Sequence, residues 1–122
     1  MVTSDKELLK LRDRLRVFAA DRNWNQFHSP KNLAMALIAE AGELVEPFQW
    51  LTEEQSNHLD SKQLSHVQDE VADVFIYLVR LADKLGIDLI ESANKKIDLN
   101  NERYPVSEAY GSTKKPNIAG NL

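Results

Sequence analysis

Val67-Gln68-Asp69-Glu70-Val71-Ala72-Asp73-Val74-Phe75-Ile76-Tyr77-Leu78-Val79-Arg80-Leu81-Ala82-Asp83-Lys84-Leu85, closed by Gly86, is the stretch whose reading decides the fold. Its apolar residues recur at helical spacing and wrap most of the circumference, and glycine is the natural residue just past a helix C-terminus. With the polar lead-in before it, the spacing predicts one long helix over Ser61–Leu85. A helix that is apolar nearly all round lies centrally in a bundle or packs on another subunit. Glu70 and Asp73 interrupt the run, three residues apart and so on one side of the helix. An ionised carboxylate in such a setting is costly unless something pairs with it.

The same device appears upstream. Leu33-Ala34-Met35-Ala36-Leu37-Ile38-Ala39 is followed by Glu40 and Glu43 before Leu44 and Val45. Ser29-Pro30 is a good helix start, an N-cap with proline at the first position, and Pro47 ends or kinks that helix near Phe48. An earlier helix over about Asp5–Asp21 carries Leu8, Leu11, Leu15, Phe18 and Ala19, with Lys10, Arg12, Arg14 and Arg16 mostly off the stripe. Asn23 to His28 reads as a loop. Thr52-Glu53-Glu54-Gln55 reads as a capping box on a short helix, followed by a polar connection. Asp88-Leu89-Ile90-Glu91 opens a last helix to about Glu102, ended by Tyr104-Pro105.

From Val106 the composition turns to Ser, Gly, Lys, Pro and Asn, so one domain over residues 1–106 and a polar, mobile tail over 107–122 are expected. No strand-length alternation and no fixed repeat occurs, so the fold class is all-α. The two acid-bearing helices are expected to bring their pairs face to face, and Gly42 between two glutamates suggests a close approach to the backbone.

The 122 residues suit one domain, and 43% apolar with 28% charged residues is ordinary for a soluble protein. A net charge of −4 argues against general nucleic-acid binding, which needs basic surface. There is no cysteine, hence no disulfide and no thiolate chemistry. Met1 to Lys10 has no apolar leader, and no run approaches the roughly 20 apolar residues that span a bilayer. A cytoplasmic protein that works away from membranes is expected.

Glu40, Glu43, Glu70 and Asp73 are acceptable together if a cation sits among them, and oxygen donors alone point to a hard one, Mg²⁺ first. The plain alternative for any one acid is a solvated helix residue. Trp24, Gln26, Phe27 and His28, with Phe48 and Trp50 beyond, place flat apolar faces next to amides, which suits a stacked nucleobase as well as ordinary hinge packing. Tyr77 lies one turn from Asp73. Lys95, Lys96, Asn100, Arg103 and Tyr104, with Lys31, could meet phosphate oxygens or simply compensate a helix dipole. His28 suits a phosphate or base-edge contact, whereas His58 and His66 look incidental. A di-iron bundle is disfavoured because paired Glu-x-x-His motifs are missing.

In order, Trp24-Asn25-Gln26-Phe27-His28-Ser29-Pro30-Lys31-Asn32-Leu33, Glu40-Ala41-Gly42-Glu43-Leu44, Phe48-Gln49-Trp50, Asp69-Glu70-Val71-Ala72-Asp73-Val74 with Tyr77, and Lys96 to Asn100 with Arg103-Tyr104-Pro105 resemble the MazG-like branch of the all-α NTP pyrophosphatases, especially the dCTP pyrophosphatase group. The resemblance implies a four-helix bundle-like core whose helices pack across a homo-oligomer interface, as a homodimer or a homotetramer (a dimer of dimers). It implies Mg²⁺-dependent cleavage of a nucleoside triphosphate, dCTP or a modified dCTP, to the monophosphate and pyrophosphate, in nucleotide-pool house-cleaning, with Mn²⁺ as the substitute ion. Carried over by position, Glu40, Glu43, Glu70 and Asp73 would hold the metal, with Glu40 or Glu43 orienting the water. Trp24, His28, Trp50 and Tyr77 would line the base and sugar pocket, and Lys96, Asn100 and Arg103 would contact the phosphates; Phe27 and Lys31 join these substrate-binding candidates on the residue reading above. The family often writes Glu-Glu-x-x-Glu in its first motif; here Ala39 precedes Glu40, as in dCTP-preferring relatives. A non-catalytic helical nucleotide-binding or interaction module is the alternative.

Overall fold

The computed structural model describes residues 3–114, which form helices joined by turns, with no strand among them. Polar caps set the helix starts. Asp5 accepts from the Leu8 N–H at 2.8 Å and opens α1, Lys6–Asp21. Ser29 accepts from the Asn32 N–H at 3.1 Å and, with Pro30 in the first turn, opens α2, Pro30–Val45. Each cap satisfies a donor that the first helical turn leaves without an intrahelical partner.

Thr52 and Gln55 form the expected reciprocal capping box at α3, Glu53–Ser56. Asp60 and Gln63 form a second box at α4, Ser61–Leu85, which the sequence reading passed over. Gly86, at φ 66°, ends α4 in the left-handed conformation that glycine adopts without strain.

Two boundaries differ from expectation. α2 stops at Val45 rather than near Phe48, and the chain continues as turns in which Phe48 and Gln49 both bond back to the Val45 carbonyl. Pro47 has no N–H to extend the helical ladder, so the helix gives way before it. The Asn23–His28 loop contains a 3₁₀ turn, Trp24–Gln26, entered through Asn23 at φ 54°. Asparagine tolerates that left-handed conformation better than most residues.

The chain divides into two units at Asp88 and Leu89. In the first, α2 packs extensively on α4, and α1 packs on α4 and on the 3₁₀ turn. Its apolar core is Leu8 and Ala19 from α1, Leu33 from α2, and Val79 and Ala82 from α4. Full burial of side chains such as Leu33 and Val79 contributes roughly 1.5–3 kcal/mol each. Much apolar surface stays exposed: Met35, Ile38 and Val45 on α2, and Leu64, Val71, Phe75, Leu78 and Leu85 on α4.

The second unit holds α5, Leu89–Arg103, and α6, Val106–Ala109. The stretch read as a tail thus opens with one helical turn. Residues 115–122 of that tail lie outside the described residues. Among the described residues, no helix is long and apolar enough to cross a membrane.

Candidate functional site

Packing α2 on α4 brings the two acidic motifs together. Oxygens of Glu40, Glu43 and Glu70 lie within 4.8 Å of one another, a spacing that one ion could bridge. Glu40 and Glu70 are half-buried, Glu43 is exposed, and Oε2 of both half-buried acids is shielded from solvent with no hydrogen-bond partner. Burial pushes the Glu40 carboxyl above its ordinary range, and the nearby charges of Glu43, Asp73 and Glu70 push it further. Burial also raises Glu70, reinforced by Glu43 and Asp73, while His66 acts in the opposite direction. Buried acceptors without donors are rare in folded proteins and call for a missing partner. A divalent cation held among these carboxylates would supply such a partner, and the all-carboxylate donor set fits a hard ion. The residues present therefore fit the expected metal.

His66 Nε2 lies 3.5 Å from Glu70 Oε1, one turn away along α4. It had looked incidental in the sequence, although the four-residue spacing from Glu70 was a usable signal.

Asp73 lies one turn past Glu70 and faces an adjoining cleft of about 440 Å³. Leu11, Arg14, Leu15 and Phe18 of α1, Trp24 of the turn, Glu40 of α2, and Asp73, Ile76, Tyr77 and Arg80 of α4 line it. Phe18 meets Trp24 edge-on with ring centroids 5.6 Å apart, and Trp24 is 6.1 Å from the His28 ring. The cleft therefore offers aromatic faces at one side and carboxylates at another, with Glu40 belonging to both the acid cluster and the cleft wall. Its volume is in the range that small ligands occupy.

The structure brings together Trp24, Glu40, Asp73 and Tyr77 at the cleft, with Glu43 and Glu70 beside Glu40. His28 is half-buried next to Trp24 and does not itself line the cleft; its Nδ1 lies 3.2 Å from Arg80 Nη2. Phe27, Lys31 and Trp50 are exposed and do not line the cleft; Trp50 is 87% exposed. Lys96, Asn100 and Arg103 belong to the second unit, where their spacing puts them on one face of α5. Phe18, Arg14 and Arg80 are cleft residues that sequence reasoning did not single out. Phe18 shares the helical spacing of the apolar α1 stripe, and that spacing does not set it apart from its neighbours. Arg80 sits in an apolar run, and that unusual placement was the available signal.

The profile of the MazG-like family matches residues 36–117, which include all four acids. dCTP pyrophosphatase 1 from Mus musculus is 46% identical over 97 residues, covering 78% of this chain and 57% of the mouse protein. dCTP pyrophosphatase 1 from Homo sapiens is 43% identical over 100 residues, covering 80% of this chain and 59% of the human protein. The chain thus spans less than two thirds of the length of these relatives. A crystal structure of a pyrophosphatase from Archaeoglobus fulgidus aligns with a TM-score of 0.78 and 35% identity over 86% of this chain and 98% of that one. With the family profile spanning most of the sequence and the archaeal fold matched over nearly its whole length, this chain belongs to the MazG-like family.

Proposed function

We propose that the chain is a nucleoside triphosphate pyrophosphohydrolase that cleaves the α–β phosphoanhydride of dCTP or a modified dCTP, releasing the monophosphate and pyrophosphate. The observation that carries this reading is the double membership of Glu40, one of three converging carboxylates and also a wall residue of an aromatic cleft. A ligand with a flat ring at one end and a metal-binding polyanion at the other suits both halves. The names of the mouse and human relatives supply the cytosine preference.

Glu40, Glu43, Glu70 and Asp73 would hold Mg²⁺, with Mn²⁺ as a substitute. Bound there, the ion supplies charge neutralisation for the triphosphate and for the developing charge at Pα. Glu40 or Glu43 orients a water molecule for attack on Pα and draws off its proton, while pyrophosphate leaves in line. Trp24 and Tyr77 hold the nucleoside by its apolar faces, and His28 donates to it. On α5, Lys96, Asn100 and Arg103 are the proposed phosphate contacts.

The exposed apolar residues of α2 and α4 support assembly with further copies of the chain. Leu64, Val71, Phe75, Leu78 and Leu85 recur at spacings of seven, four, three and seven, the pattern of a helix seam that another helix covers. A homodimer or a dimer of dimers would bury it.

The test is product analysis. With dCTP and Mg²⁺, dCMP and pyrophosphate are expected in equal amounts. Release of dCDP and inorganic phosphate would mean attack at the terminal phosphate and would overturn the mechanism. Saturable binding without turnover would favour a non-catalytic nucleotide-binding module.

A further inference from the structure

Arg80 is a deeply buried charged residue, only 4% exposed, and the hydrolysis proposed above leaves it without a role. It follows Tyr77 by one turn of α4 and lines the same cleft as Trp24. Its Nη2 donates to Asn25 Oδ1 at 3.0 Å and to His28 Nδ1 at 3.2 Å. Both acceptors belong to the segment between α1 and α2 that carries Trp24. On the other side, Arg80 Nη1 is 3.9 Å from Asp83 Oδ2, and Arg16 of α1 grips Asp83 in turn.

Arg80 Nε is buried with no partner. A methionine or leucine would fill this position in an apolar run without an idle buried donor, so the guanidinium disfavours the fold where it stands. Its contacts suggest what it does instead. A guanidinium carries donors only, so His28 Nδ1 must present its lone pair to Arg80. In a neutral imidazole the single ring proton then sits on Nε2. Burial lowers the His28 pKa from its ordinary value, and the charges of Arg80 and Lys84 lower it further, which favours the neutral ring that the Arg80 contact requires.

We infer that Arg80 is a positioning residue for the nucleotide: it pins the Trp24–His28 segment to α4 and fixes His28 as the tautomer that offers Nε2–H to a substrate acceptor atom. The inference rests on the nucleotide reading of the cleft. It adds a residue that touches no reacting atom but decides the donor state of one that meets the substrate. Arg80 does this with one nitrogen shared between two acceptors, which a lysine ammonium at the end of a flexible stem cannot reproduce with the same geometry.

The experiment has two arms. Long-range ¹H–¹⁵N spectra of the full chain without nucleotide are expected to show His28 with an unprotonated Nδ1 and a protonated Nε2. Arg80→Met is expected to release that tautomer preference and to lower kcat/KM about tenfold, almost wholly through KM, with Arg80→Lys intermediate. Should Arg80→Met fail to fold, His28→Gln and His28→Asn replace it. Glutamine carries its amide nitrogen where Nε2 stood and is expected to keep the better KM, whereas asparagine does not.

A wild-type ring protonated at Nδ1, or at both nitrogens, at neutral pH overturns the inference, whatever the activity. So does a folded Arg80→Met protein with unchanged KM, or a His28→Gln protein no better than His28→Asn. A chain with the expected ring state that turns over no triphosphate sinks the hydrolase reading, and with it the substrate half of this inference.

Discussion

Arg16 of α1 grips Asp83 of α4 with two donors, Nε at 2.7 Å and Nη2 at 2.6 Å. Such a fork-to-carboxylate pairing is among the stronger polar contacts a protein makes, and here the carboxylate is only 7% exposed. The Arg16 hydrogen bonds hold the Asp83 carboxyl far below its ordinary value of 3.8, against the opposing effect of burial. The folded protein thus keeps Asp83 ionised where the unfolded chain binds a proton. This contribution is complete above the ordinary aspartate value and is lost as pH falls below it. Asp83→Asn is expected to cost about 1–3 kcal/mol at neutral pH, since it also strips the acidic neighbour from buried Arg80. Thermal melts down to about pH 3 should show a flatter acid limb in the variant than in wild type. Equal slopes would mean the pair is not formed in solution.

The acid cluster makes opposite demands on stability and on function. Without metal, Glu40 and Glu70 each present a shielded oxygen with no donor and repel their neighbours. Glu70→Gln is therefore expected to raise the melting temperature of the metal-free protein. The same change, like Glu43→Gln and Asp73→Asn, should abolish the rise that Mg²⁺ gives wild type and lower kcat by at least about a hundredfold. A wild-type melting temperature indifferent to Mg²⁺ would count decisively against the metal.

The two tryptophans should behave differently. Trp24 lines the cleft, so Trp24→Ala is expected to raise KM by roughly tenfold, the scale of one lost base-stacking contact. Trp50 is 87% exposed and supports little of the chain's own packing. Trp50→Ala should change stability by no more than about 0.5 kcal/mol. A KM rise without a melting shift would place Trp50 against the ligand, whereas no change in either would remove it from the site.

Gly42 offers a compact test of what covers α2. The sequence suggested a close approach to its backbone, yet a Cβ built there meets nothing within 4 Å. Nothing in the described chain requires glycine at this position. Gly42→Ala should stabilise the isolated fold by about 0.5–1 kcal/mol through helix propensity. Calorimetry showing destabilisation instead would point to a second copy or a ligand that presses on this surface.

Charges on the α4 seam should weaken self-association. Phe75 is 44% exposed and Val71 49% exposed. The double change Val71→Lys, Phe75→Lys should shift the mass measured by light scattering toward the single chain and leave the helical circular dichroism signal in place. An unchanged mass would exclude this seam as the interface.

Much of this protein is written in local pattern. The span of α4 follows from an apolar run and a terminal glycine, and the start of α2 from Ser29-Pro30, because caps and periodicity act within a few residues. The pairing of Glu40 and Glu43 with Glu70 was also legible, since acids at helical spacing in two apolar runs share the face those helices must bury. Local pattern did not reveal Arg80. Its partners, Asn25 and His28, lie more than fifty residues away in sequence, at separations of 55 and 52. Nor did it show that Phe27, Lys31 and Trp50 stand outside the cleft, because the direction of a side chain leaving a turn depends on what that turn packs against.

The sequence by itself determined the main helices, the Ser29 and Thr52 caps and the four acids, because hydrogen-bond capping and amphipathic period are short-range properties of the chain. Only the tertiary structure decided which acid belongs to both the carboxylate cluster and the cleft, and which buried cation meets His28. Those choices depend on α1, the Trp24 turn and α4 meeting in space, where burial and charge–charge contact act across distances in sequence that no local pattern records.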